Sequence, residues 1–213
     1  ELRTPVAVVR SSLDNLAAEP LAGNARVYVD RALEGVRRLG RLISRLSEAT
    51  RLERLLESAE RERFDLAQVV RGCVEGYRAA YPARAFDLAL PAAGVMVDGV
   101  PDAFAQLLDK LVENANDFAP PASGIRVSLE AQPGHALLAV ENDGPPLPEA
   151  MMQRLFDSMV SVRPAEHGAA REDGAHLGLG LYIVRLVAEH HRGSVRAGNR
   201  PQGGVRFEVS VPL

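Results

Sequence analysis

The apolar residues of this chain keep one rhythm up to about Arg61 and a different one after Arg63, so no single kind of layer can satisfy both. Leu2, Val6, Val9, Leu13 and Leu16 are spaced 4, 3, 4 and 3, a heptad seam along a helix. Glu19-Pro20 and the Gly23-Asn24 pair end it. A second seam runs through Val29, Ala32, Val36, Leu39, Ile43 and Leu46 at spacings of 3, 4, 3, 4 and 3, and Leu42, Ala49 and Leu56 widen it. This predicts a helix from about Ala25 to about Arg61, roughly 50 Å long at 1.5 Å per residue. Two such helices joined by a short turn make an antiparallel hairpin that cannot bury both stripes alone. Pairing two hairpins in a four-helix bundle completes the burial, so a homodimer is expected.

After Arg63 the pattern alternates between extended and helical stretches. Strands are expected at Phe86 to Leu90, Gly94 to Val97, Ile125 to Ala131, Ala136 to Glu141, Ser194 to Ala197 and Val205 to Val211. Helices are expected near Leu66 to Ala80, Pro101 to Phe118 and Leu179 to His191. The whole is an α+β chain, with a helical hairpin over residues 1–62 followed by an α/β sandwich over 63–213 that carries helices on one face of a mixed sheet. Residues 157–175, rich in charge, Gly and Pro, are expected to form a lid or a disordered linker.

Composition narrows the functions open to such a chain. A net charge of -3 gives no footprint for a polyanion, and Lys110 is the sole lysine, so nucleic acid is not an expected partner. The single cysteine, Cys73, sits in an apolar helical pattern and reads as a buried thiol. No apolar run approaches the ~18 residues that span a bilayer. The chain opens inside a patterned segment and is read as a fragment, any membrane anchor lying upstream of it.

Three segments carry chemistry. In HLGLGLYIVRLVAEHH, residues 176–191, Gly178 and Gly180 precede an amphipathic helix and offer bare amides to a phosphate at its positive end. Leu181-Tyr182 stand where a Walker loop needs Lys-Ser or Lys-Thr, and Ile183 stands where a dinucleotide fingerprint needs its third glycine. Both common phosphate loops are therefore excluded. In KLVENANDFAP, residues 110–120, Lys110, Asn114 and Asp117 share one helical face, opposite Leu107, Leu111 and Ala115. Asn114 offers a neutral amide oxygen to Mg²⁺, suited to an ion whose charge is balanced by nucleotide phosphates. In VENDGPPLP, residues 140–148, a strand runs into a Gly-Pro turn, and alternation puts Asn142 with Val140 on one face and Asp143 with Glu141 on the other.

The order of these segments resembles the dimerisation and catalytic core of a bacterial sensor histidine kinase. ELRTP is similar to the H box, KLVENANDF to the N box, NDGPP to the first glycine box, RLFDSM to the F box, HLGLGL to the second glycine box and QGGVRFEVSVP to the last strands. The resemblance implies transfer of the γ-phosphoryl group of Mg-ATP to a histidine and then to an aspartate of a response-regulator receiver domain, with phosphatase activity toward that regulator. It implies a cytoplasmic domain anchored in the inner membrane by other segments. By resemblance, the acceptor histidine stands directly before Glu1, Glu1 assists as base, and Thr4 serves hydrolysis of the phosphorylated regulator. On a helical wheel the place before Glu1 falls on the face opposite the Leu2 to Leu16 seam.

The same resemblance makes Asn114 the Mg²⁺ ligand. It sets Asp117 and Phe118 beside the nucleotide, with Phe118 bordering adenine, and turns the amides of Gly178, Leu179, Gly180 and Leu181 toward the phosphates. Asn142 and Gly144 fall in the adenine-binding turn. Four positions depart from the family. Asn142 replaces its adenine-binding aspartate, Pro146 replaces a second glycine, Asp117 replaces a lysine and Lys110 replaces an asparagine; Lys110 on the same face would restore the lost positive charge. These departures leave open a second reading, an ATP-binding scaffold that signals through its dimer without turnover. A hydrolytic relative of gyrase or of the heat-shock chaperones would need a glutamate where Lys110 stands. Of the histidines, His135, His167, His190 and His191 are expected to be exposed or to sit favourably at a helix end, and His176 to line the lid edge.

Overall fold

The computed structural model describes residues 3–20, 24–121, 123–152, 154–157 and 179–213. They form two compact units, one reaching to Arg51 and one running from Leu52 onward.

The first unit is the expected hairpin, built from α1 (Arg3–Ala18) and the greater part of α2 (Ala25–Ser58). The helices run antiparallel. Position 40 of α2 lies beside Val6, 3.8 Å from its Cγ1 for an added Cβ, and Arg26 at the start of α2 donates to the carbonyl of Ala17 at 2.7 Å. That guanidinium satisfies a carbonyl that the end of α1 leaves without a helical partner. Among the described residues of α2 up to Arg51, those buried are Val29, Leu33 and Val36, whereas Ala32 and Leu39 of the predicted seam are exposed. One neighbouring helix covers only a narrow part of an apolar stripe, and the remaining edge faces outward.

The second unit opens with β1 (Glu62–Asp65), a strand the sequence pattern did not announce, followed by α3 (Leu66–Ala80). β1 pairs antiparallel with β3 (Met96–Gly99) as a separate ribbon. Asp65 ends β1 and caps α3, its Oδ1 accepting from Ala67 N–H at 3.0 Å and from Val95 N–H at 2.9 Å. The main sheet has the order β2-β4-β5-β7-β6, in strands Phe86–Ala89, Ile125–Gln132, His135–Asn142, Val205–Pro212 and Ser194–Asn199 respectively. Only the β2/β4 pairing is parallel. β5 begins at His135, one residue before the predicted strand. The short helix α5 (Glu149–Met152) was likewise not foreseen.

The helix layer consists of α3, α4 (Pro101–Phe118) and α6 (Leu179–His190), which contact one another and the sheet. The core lies there: Leu107, Leu111, Ile125, Val140 and Val184 are all fully buried. The other face of the sheet carries a row of alternating charge set by register, Asp87, Arg126, Glu141 and Arg206 on four neighbouring strands. Arg126 reaches Asp87 at 3.7 Å and Arg206 donates to Glu141. A one-residue slip would turn this row into the core, so it reinforces the register.

His191, expected to be exposed or to sit at a helix end, does follow the end of α6 but is only 2% exposed. Its Nε2 accepts from Val100 N–H at 3.0 Å, and since that amide can only donate, Nδ1 carries the proton and donates to Val187 O at 2.7 Å. Val100 is the N-cap of α4, so a neutral imidazole joins the end of α6 to the beginning of α4.

Candidate nucleotide-binding site

α4 presents the expected polar face. Leu107, Leu111 and Ala115 are fully buried on one side, while Lys110 and Asn114 are half-buried and Asp117 is exposed on the other. Lys110 Nζ lies 3.0 Å from Glu113 Oε2, so its charge is shared within the helix rather than held for an anion alone. The hydroxyl of half-buried Tyr81 is pushed above its ordinary range by burial first, then by the carboxylates of Glu113, Asp117 and Asp109, with Lys110 opposing. The carboxylates of Glu113 and Asp117 thus lie toward the end of this face.

Two close approaches join other elements to this helix. A Cβ added to Gly144 would stand 2.9 Å from Asn142 Nδ2 and 3.1 Å from Phe118 O. Only glycine lets the β5 turn meet the last turn of α4 so closely. A Cβ on Gly180, in the first turn of α6, would stand 4.0 Å from Lys110 Cδ. Hence α4 lies between the turn after β5 on one side and the start of α6 on the other.

Asn142, the last residue of β5, is 2% exposed, and its Nδ2 donates to Asp143 O at 3.3 Å. Alternation holds: Val140 is buried on the same side, while Glu141 and Asp143 turn to the opposite side and both meet Arg200. Asp143 therefore points away from the face that Asn142 occupies. Leu179 is 4% exposed and Leu181 half-buried, so these side chains anchor α6 and only their backbone amides can serve a phosphate. Thr4 is exposed on α1 in the first unit. Glu1, Gly178, His167, His176 and lid positions 158–175 lie outside the described residues.

Several supports had no signal in sequence. Arg84 closes the end of α4: it donates from Nε to Asn116 Oδ1 at 3.2 Å, and from its Nη atoms to the carbonyls of Pro120 at 2.5 Å, Ser123 at 3.0 Å and Asn116 at 3.3 Å. Tyr77 donates to Asp109 Oδ1 at 2.5 Å, tying α3 to α4, and burial with that carboxylate keeps the phenol protonated. Leu155 and Phe156 of the RLFDSM segment are buried, and Asp157 accepts from Arg185 of α6 at 2.7 Å. These partners are remote in sequence, so periodicity could not announce them.

A polar helix face, a glycine turn and a helix N-terminus brought together on one side of a mixed sheet make a setting for a nucleoside polyphosphate. The family model described as histidine kinase-, DNA gyrase B- and HSP90-like ATPase matches residues 99–213, and that of the His Kinase A phospho-acceptor domain matches residues 1–55. The chain belongs to this ATPase family, and its two modules in this order are the core of a two-component sensor histidine kinase. Among its relatives, Sensor protein ChvG of Agrobacterium fabrum is 32% identical over 226 residues, covering 100% of this chain and 37% of that protein. Sensor protein KdpD of Escherichia coli is 26% identical over 215 residues, covering 100% of the chain and 23% of the relative. The chain thus spans well under half of these relatives. The fold is shared with histidine kinase AdeS of Acinetobacter baumannii, at a TM-score of 0.65 and 20% identity over 100% of this chain and 96% of that one. It is shared also with full-length ShkA, solved in complex with AMPPNP, at a TM-score of 0.66 and 23% identity over 99% of this chain and 43% of that one.

Proposed function

We propose that the chain is an ATP-dependent protein-histidine kinase core that phosphorylates a histidine on its own first helix and passes the group to a response-regulator aspartate. The observation that supports this most is the placement of α4 between the Asn142–Gly144 turn and the start of α6 at Gly180. ATP would lie over Lys110, Asn114 and Asp117, with its base toward Asn142 and Phe118. Its phosphates would lie at the amides of Gly178, Leu179, Gly180 and Leu181, where unpaired N–H groups and the helix dipole favour negative charge.

Mg²⁺ fits the donor set. Among the described residues no group of three or more His, Cys, Asp or Glu could hold a cation by itself. Asn114 offers one neutral oxygen on a face that also carries Lys110 and Asp117, which suits an ion brought in by the triphosphate. When bound, the ion would neutralise charge on the phosphate oxygens.

In the transfer, an imidazole nitrogen attacks the γ-phosphorus, the bond from that phosphorus to the β–γ bridging oxygen breaks, and ADP leaves with the electron pair. Glu1, beside the acceptor, takes the imidazole proton. The chain's contribution is mainly positioning and charge. In a second reaction the phosphoryl group moves to the regulator's aspartate, and Thr4, one turn along the exposed face, orients water for its later hydrolysis. The hairpin acts as a homodimer and docks the regulator. The reading includes a cytoplasmic place with anchoring by other segments; no described helix is long and apolar enough to cross a membrane.

The test is transfer of label from γ-labelled ATP to a chain that includes the residue before Glu1, then to a panel of receiver domains. The wild type should acquire acid-labile label, and Asn114→Ala should lose at least about tenfold of the rate. The scaffold reading is favoured by Asn142, whose neutral amide gives a weaker hydrogen bond than an acid would. Saturable ATP binding with no transfer in the wild type would establish it.

A further inference from the structure

The turn between β5 and α5 has the sequence Asp143-Gly144-Pro145-Pro146-Leu147-Pro148, and its prolines leave only Gly144 and Leu147 with an N–H among the last five residues. It therefore has little means of holding itself by its own backbone bonds. What holds it is the β6–β7 hairpin. Asn199 Oδ1 accepts from Leu147 N–H at 2.7 Å, and Asn199 Nδ2 donates to Leu147 O at 2.9 Å. One side-chain amide thus pairs with both backbone groups of Leu147, as a neighbouring strand would. At the other end of the turn Arg200 donates from Nη1 to Asp143 Oδ1 at 3.0 Å, and its Nε lies 3.5 Å from Glu141 Oε2.

The hairpin backbone adds a third contact. Gly204 has φ +86, and a Cβ there would stand 2.3 Å from Asn142 O and 3.0 Å from Asp143 Cα. The β6–β7 turn can press this closely on the end of β5 only because it carries no side chain at that point.

We propose that Asn199 is a positioning residue for nucleotide binding: its two-way pairing with Leu147, assisted by Arg200 on Asp143, fixes the turn that carries Asn142 and Gly144 against α4. The proposal rests on the nucleotide reading above. Asn199 itself is exposed and touches no part of the site. Its effect passes through the turn, whose ends it and Arg200 hold while Pro145 and Pro146 stiffen the middle. Because the brace lies behind the Asn142 end and not at α6, it governs the hold on the base half of the nucleotide. ATP and ADP should therefore depend on it equally.

The experiment is calorimetric titration of the 213-residue chain with Mg-ATP and with Mg-ADP, alongside thermal unfolding, for wild type, Asn199→Ala, Asn199→Asp and Arg200→Ala. Asn199→Ala loses both bonds and should raise both dissociation constants by about tenfold at a temperature where the variant is fully folded. Asn199→Asp keeps the acceptor for Leu147 N–H and should recover part of the affinity. In the phosphotransfer assay the loss should appear in KM for ATP, with kcat changed less than about twofold. Should Asn199→Ala unfold, Arg200→Ala, which removes the ion pairs to Asp143 and Glu141, carries the same prediction at about threefold. A folded Asn199→Ala that binds ATP as tightly as wild type would overturn the role assigned to Asn199, as would a loss confined to ATP with ADP unaffected. A wild type that binds neither nucleotide would overturn the nucleotide reading instead.

Discussion

Arg192 has φ 57, the left-handed region, and is the one described non-glycine residue there. It follows the end of α6, where its N–H donates to Glu189 O at 2.9 Å and the next amide donates to Ala188 O at 2.8 Å. That geometry closes the helix and is the usual place for glycine. A side chain there costs about 1 kcal/mol through the approach of Cβ to the carbonyl. Arg192 is exposed, so removing its side chain forfeits little packing. Arg192→Gly should therefore raise the unfolding free energy by up to about 1 kcal/mol, read as a higher urea midpoint at unchanged slope. Asn142 illustrates the same scale in function. Alternation along β5 told which face it occupies, but not that Gly144 would bring Phe118 O and Asn142 Nδ2 to the same spot.

At the scale of elements, His191, directly after α6, is one of the residues that join that helix to α4. Facing its ring are Phe104 at a centroid distance of 4.5 Å, His190 at 5.1 Å, and the charges of Arg61 and Asp98. Arg61 donates to His190 O and to Asp98 O, so the cluster also ties the segment before β1 to the end of α6. Burial, then the nearby His190 and Arg61, hold the imidazole below its ordinary value, against the opposing bond to Val187 O and the Asp98 charge. The sign follows. The folded group is neutral and resists a proton that the unfolded chain accepts near pH 6.5, so its contribution is present above about 6.5 and is lost as pH falls toward the lowered value. Protonation would also set two N–H groups against each other at Val100. Urea unfolding between pH 7.5 and 5 should accordingly lose stability with acid, and His191→Gln should flatten that slope while lowering stability at pH 7.5. An equal slope in both proteins would remove His191 from this account.

At the scale of the whole molecule, the hairpin leaves Val8, Val9, Leu16 and Leu39 between 45% and 59% exposed. Such a run of large apolar side chains on two helices marks an interaction surface, which the homodimer proposed above would cover. Light scattering should report twice the monomer mass at micromolar concentration. Val9→Asp with Leu39→Asp should shift it to the monomer without changing nucleotide affinity, since both residues lie in the first unit. The same stripe shows how far the sequence could be read. Its heptad spacing announced two helices and their antiparallel turn, but Leu33 is buried and Ala32 exposed, because which edge of the stripe is covered depends on the partner.

Apart from β1 and α5, the elements were legible in the sequence, as were the change of period near Arg61, the core side of α4, and the order of boxes that places the chain among sensor histidine kinases. Those are properties of local spacing, and local spacing is written along the chain. Folding alone settled that His191 is buried, that Arg84 closes α4, and that Asn199 and Arg200 support a turn some 50 residues earlier in the chain. Each is a polar side chain whose partner is a backbone or carboxylate group far away in sequence. A polar residue carries no periodic sign of being satisfied at a distance; its role exists only once the sheet and its crossovers have brought the partner within hydrogen-bond reach.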